Sequence, residues 1–114
     1  MVVDQGDVVW VDLGSPRGSE PGSVRPAVVL QHDRFNRSRI STVVVAITSN
    51  LKFGAAPGNV RLRKGEAGLP RPSVVNVSQI ATLDREALRS KAGRLSRARL
   101  LGTQSRSLSS LRTG

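Results

Sequence analysis

Apolar residues at period two open the chain. Over residues 6–13, Val9, Val11 and Leu13 fall on one side and Val8, Trp10 and Asp12 on the other, which predicts a strand. Residues 14–24 hold Gly14, Pro16, Gly18, Pro21 and Gly22, a density of breakers that only a loop accommodates. Apolar positions resume over 25–32, centred on Ala27, Val28, Val29 and Leu30, and predict a second strand. A polar connection over 33–41 leads to a third strand at 42–48. There Val43, Val44, Val45, Ala46 and Ile47 follow one another without alternation, the mark of a strand covered on both faces.

Residues 51–58 form another loop ending in Pro57 and Gly58. Alternation returns cleanly over 59–64, with Val60 and Leu62 inward and Arg61 and Arg63 outward. Pro70 and Pro72 bracket a turn before a strand over 73–80. The acid-first segment 84–90 predicts a short helix, and 93–95 a brief final strand. Ser96 is placed to cap a last helix whose apolar face is Leu100, Leu101, Leu108 and Leu111. Four serines and two glycines from 102 onwards weaken that helix, and fraying is expected over 102–114. Five or more short strands with late helices predict a mainly β fold, a small and strongly curved antiparallel sheet or barrel.

Composition narrows the choices. A chain of 114 residues suits one domain, 1–114, with a modest core. With only 3% aromatic residues, that core must be built from β-branched and other aliphatic side chains. There is no cysteine, which removes disulfides, zinc thiolates and cysteine nucleophiles. No apolar run reaches the length of a membrane span and no secretion signal is visible, so a cytoplasmic protein with no membrane partner is expected.

The formal charge of +10 is unevenly distributed. Residues 1–33 carry five acids against Arg17 and Arg25, and residues 34–114 carry sixteen bases against three acids. Fifteen of the eighteen bases are arginine, a side chain that grips phosphates bidentately and stacks on bases. A polyanion is the natural partner, although arginines on any solvated face would give the same composition.

The chemistry available is restricted. His32 is the only histidine and tyrosine is absent, so a two-histidine cleavage of RNA is ruled out. The acids are scattered rather than clustered, which argues against a two-metal nuclease. No glycine-rich loop cradles a nucleotide cofactor after a strand, and neither a cofactor nor a metal is expected. What stands out is GSExxxxRP, from Gly18 to Pro26, followed some twenty residues later by VVVAITSN, from Val43 to Asn50. The first sets Glu20 and Arg25 ahead of an apolar strand; the second ends a strand on Thr48, Ser49 and Asn50.

Together with GDVVWVDL, RPSVVNVSQI and TLDREAL before GRLS, in this order, these segments resemble the MazF/PemK-type toxins. The likeness runs from about Gly6 to about Leu95. It implies a single toxin domain with a small SH3-like antiparallel β-barrel of the MazF/CcdB type and a C-terminal helix, assembled as a homodimer. It also implies a metal-independent endoribonuclease of a type II toxin–antitoxin system, an mRNA interferase that arrests growth. Single-stranded RNA would be cut by its own 2′-hydroxyl, leaving 2′,3′-cyclic phosphate and 5′-hydroxyl ends, and a MazE-like antitoxin would be the partner. Two departures stand out. Pro72 occupies a place where the family commonly has an acid, and the Ser-rich stretch after Leu101 is less apolar than the usual last helix.

The resemblance implies that Arg25 and Thr48 carry catalysis. On the residues alone, a surface ion pair for Arg25 and a strand-end cap for Thr48 are the readier explanations. Glu20 is the candidate proton acceptor by elimination; it would deprotonate the 2′-hydroxyl or hold Arg25, or else is a solvated loop acid. Ser19, Ser49 and Asn50 are candidates for phosphate contacts. Gln31, Ser73, Asn76 and Gln79 either read base edges or satisfy backbone groups at a barrel rim. Lys52, Arg61 and Arg63 either track the RNA backbone or form an exposed sheet face. Phe53 is the better base-stacking candidate, while Trp10 fits the core or a dimer edge. A gyrase-binding toxin of the CcdB type and an inactive RNA-binding barrel are the alternatives on the same fold.

Overall fold

The computed structural model describes residues 2–12, 24–31 and 41–103. Six antiparallel strands follow one another: β1 Asp7–Asp12, β2 Val24–Val29, β3 Ser41–Thr48, β4 Val60–Leu62, β5 Ser73–Asp84 and β6 Leu88–Arg94. They hydrogen-bond in the order β4-β5-β3-β2-β1-β6. A 3₁₀ turn at Leu51–Ala55 follows β3 and another at Glu66–Gly68 follows β4. Residues 97–103 are helical. No helix among the described residues is long and apolar enough to cross a membrane.

Valine dominates both faces of the sheet, as the alternating and continuous apolar runs require. Val8, Val28, Val45, Ile47, Val60, Leu62, Leu69, Val75, Val77 and Leu95 form the inner core, with Trp10 and Leu100 packed against it. Val3, Val9, Val11, Ala27, Val29, Val44 and Leu88 form a second cluster. Neighbours in β3 belong to different clusters, Val44 to one and Val45 to the other, so the unbroken apolar run is buried on two sides as expected.

Curvature is concentrated in β5. Against β3, its register jumps between the Val45↔Ile80 and Ile47↔Val75 pairs, so residues 76–79 face a single residue of β3. Within that bulge the Asn76 carboxamide oxygen accepts from Ser78 Oγ at 2.8 Å, and Val77 N donates to Asn59 Oδ1 at 3.0 Å. Such an insertion bends the strand and sharpens its twist. β5 therefore runs from the β4 side of the sheet around to Asp84, longer than the 73–80 expected.

The edges of the sheet meet without a ladder. Gly68 and Gly93 bring the 3₁₀ turn after β4 against β6; a Cβ on Gly68 would collide with the Ala92 carbonyl, and one on Gly93 with the Ala67 carbonyl. Gly68 also has φ +75°, in the left-handed region where a side chain is disfavoured.

Two expectations fail. Residues 84–90 do not form a short helix: only the 3₁₀ turn Arg85–Ala87 appears, and Leu88 already pairs with Val11 in β6. Pairing with β1, which buries Leu88, overrides the local acid-first pattern. The last strand is accordingly Leu88–Arg94, not 93–95. Ser96 does cap the final helix, accepting from Arg99 N at 3.2 Å. Leu100 reaches the core, but Leu101 is 54% exposed, because the helix turns it away from the barrel. Leu108 and Leu111 lie outside the described residues.

Candidate active site

A cavity of about 610 Å³ opens at one end of the strands. The register explains its composition. Ala27 pairs with Ala46 and Val28 with Val45; carried two residues further, the same register sets Arg25 opposite Thr48. On the far side of β3, Thr48 pairs with Val74, next to Ser73. The start of β2, the end of β3 and the start of β5 thus stand side by side. Arg25, Thr48, Ser49, Asn50 and Ser73 all line the cavity, together with Trp10, Pro26, Leu69 and Arg71.

The local bonding orients these groups. Asn50 N donates to Thr48 Oγ1 at 3.1 Å, so the hydroxyl is held as an acceptor from its own turn and keeps its hydrogen for another partner. The Asn50 side chain in turn accepts from Lys52 N at 3.1 Å and caps the 3₁₀ turn. Arg25 Nη1 donates to the Val24 carbonyl at 3.2 Å. A guanidinium has five N–H donors, so this bond leaves others to meet a ligand. Ser73, 4% exposed, donates from Oγ to the Arg71 carbonyl at 3.0 Å.

The other expected site residues are placed elsewhere. Lys52 and Phe53 sit on the exposed 3₁₀ turn that follows the cavity wall, Phe53 being 43% exposed. Gln79 lines a separate apolar groove with Val11, Ala27, Val44 and Ile80, because the β5 bulge separates it from Ser73. Gln31 lies just past the opposite end of β2. Asn76 is spent inside the bulge. Ser19, Glu20 and His32 lie outside the described residues. Arg71 and Pro26 were not expected in the site, and Trp10 was the lesser of two base-stacking candidates. Arg71 had a legible signal, an arginine between Pro70 and Pro72 immediately before the polar strand start at Ser73.

Charge is sorted across the surface. Asp7 accepts ion pairs from Lys91 at 3.2 Å and Arg94 at 3.6 Å, and Asp12 from Arg89 at 2.8 Å. The β6 cations are therefore matched. Arg25 and Arg71, at the cavity, form no ion pair among the described residues, and the site presents concentrated positive charge.

Known proteins share the family and the fold. Residues 4–106 match the family described as PemK-like, MazF-like toxin of type II toxin–antitoxin system. The chain belongs to that family. It is 47% identical over 94 residues to Endoribonuclease MazF6 of Mycobacterium tuberculosis, covering 82% of each chain. With Endoribonuclease EndoA of Bacillus subtilis it shares 38% over 91 residues, 80% of this chain and 78% of that one. Among solved structures, MazF of Deinococcus radiodurans superposes with a TM-score of 0.79 at 26% identity, covering 98% of both chains. A mycobacterial endoribonuclease solved with its cognate antitoxin gives 0.78 at 20% identity, over 98% of this chain and 97% of that one. That likeness establishes the shared fold of this toxin.

Proposed function

We propose that this toxin is an endoribonuclease that cuts single-stranded RNA without a metal ion. In this reading the 2′-oxygen bonds to the adjacent phosphorus while the bond from phosphorus to the 5′-oxygen breaks. The 2′-proton passes to an acceptor and the departing oxygen gains a proton, leaving a 2′,3′-cyclic phosphate and a 5′-hydroxyl. The reading is carried by Arg25 and Thr48 lining one cavity from neighbouring strands.

Arg25 neutralises charge on the phosphoryl oxygens of the crowded phosphorus, a task suited to a permanently charged planar donor. It is a poor base for the same reason. Thr48 donates the hydroxyl hydrogen that its bond from Asn50 leaves over, and so fixes a phosphoryl oxygen. Glu20, five residues before Arg25, takes the 2′-proton. Ser49, Asn50 and Ser73 position the phosphate and the neighbouring nucleotides, with Lys52 and Phe53 beyond the rim. The working unit is a homodimer in the cytoplasm, and a MazE-like antitoxin silences it by laying an acidic, extended segment over Arg25 and Arg71.

Cleavage of a mixed RNA pool in EDTA, with end-group mapping, tests the reading. The wild type should cut in EDTA and leave cyclic phosphate ends. Arg25→Ala should lose roughly 10³-fold in rate, the scale of a lost guanidinium at a phosphoryl transition state. Intact RNA with wild-type protein, or full activity in the Arg25 variant, would sink the assignment. Glu20→Gln, followed against pH, should flatten the limb that reports the proton acceptor.

A further inference from the structure

A second cavity, of about 640 Å³, lies beside the first. Leu51, Arg61, Leu62, Arg63, Lys64, Pro72, Ser73 and Arg99 surround it, and Ser73 belongs to both cavities. The sheet fixes their relation. Thr48 pairs with Val74 on one side of β5, and Val74 pairs with Arg61 on the other. Arg61 is thus level with Thr48, two strand spacings away, or about 10 Å.

The charges there are not neutralised. Arg61, Arg63 and Lys64 are exposed and form no ion pair among the described residues. Glu66 is the acid on the following turn, and its carboxylate is already used: Oε2 accepts from Arg99 Nε at 3.0 Å and Oε1 from Arg63 N at 2.9 Å. Arg99 is therefore matched, and three cations remain. The Arg61 side chain lies over the turn Leu51–Ala55, its Nε 2.6 Å from where a Cβ on Gly54 would stand.

We infer that Arg61, Arg63 and Lys64 form an extended phosphate-binding groove, which holds the RNA backbone on one side of the scissile bond. This rests on the endoribonuclease reading and deepens it. The groove continues the catalytic cavity through Ser73, and its separation from Thr48 lies within the several-nucleotide footprint of a groove that follows a single strand. Its walls are cationic with little aromatic surface, so it grips phosphates rather than reading bases.

The test compares Arg61→Ala/Arg63→Ala/Lys64→Ala with wild type on three RNAs. One is a short RNA carrying the mapped cleavage site with a single nucleotide on each side. The other two are the same core extended by uridines, one on the 5′ side and one on the 3′ side. Cleavage of the short RNA should match wild type, whereas the variant should lose about tenfold or more on one of the two extended RNAs at low salt.

Binding is read with a 2′-deoxy residue at the scissile position. Each single-strand phosphate contact contributes a salt slope of about −0.7. Between about 50 and 200 mM salt, wild type should therefore lose about 20-fold more affinity than the variant. Equal rates and equal salt slopes on all extended RNAs would overturn the groove. So would unchanged RNA behaviour with lost affinity for an acidic antitoxin peptide, which would assign the surface to protein. Should the triple variant fail to fold by circular dichroism, Arg63→Ala/Lys64→Ala leaves Arg61 against Gly54 and should still change the slope by about 1.4. Arg25→Ala, run alongside, separates the two claims: if it cuts the short RNA normally, the nuclease reading fails whatever the groove does.

Discussion

Thr48 ends its strand with a hydroxyl whose use the backbone has already divided. The Asn50 amide occupies a lone pair at 3.1 Å, so the hydrogen is the part left to act. Thr48→Val keeps the branched shape and removes both roles. The expected result is a folded protein whose kcat falls about 10²–10³-fold, as when one preorganised donor is lost from a transition state. Steady-state kinetics beside an unchanged melting curve checks this. At this scale the sequence was legible where a motif tied a residue to a strand end: Arg25, Thr48, Ser49, Asn50 and Ser73 do meet in one cavity. It was illegible for Gln79 and Gln31, since polar residues in apolar strands look alike until the register says which end they occupy. Trp10 was expected in the core or at a dimer edge, and it packs against the core while also lining the cavity.

Strands rather than helices decide how these groups are presented. β1 was readable from its hydrophobic period, β2 and β3 from their apolar runs, and β4 from its alternation of Val60 and Leu62 with Arg61. The β5 bulge was not, because nothing in VVNVSQI announces that residues 76–79 oppose one residue of β3. The failed helix at 84–90 has the same origin: pairing with β1 is a long-range reward that local pattern does not contain. The 3₁₀ turn at Glu66–Gly68 is equally non-local, since it depends on Gly93 from another strand. Gly93→Ala should destabilise the protein by about 1–3 kcal/mol, the usual cost of overpacking. Thermal melting reads this as a lower Tm, and an unchanged Tm would show that the two main chains need not approach so closely.

Across the whole molecule, basic residues are distributed by task. Those on β6 are matched by Asp7 and Asp12, whereas Arg25, Arg71, Arg61, Arg63 and Lys64 around the two cavities form no ion pair among the described residues. The unmatched cations around the two cavities therefore form a local field there, which favours steered capture of a polyanion. Composition disclosed the surplus; only the fold disclosed which cations remain unmatched.

The join at Gly68 and Gly93 has a mechanical consequence. Every other lateral neighbour in the sheet is laced by amide–carbonyl bonds, while here two bare backbones merely touch. A cylinder fastened in this way possesses a built-in hatch, and thermal fluctuations should lift it long before they unravel β2 and β3. Hydrogen exchange ought to register deuterium first along the outward edges of β4 and β6, well before the central strands.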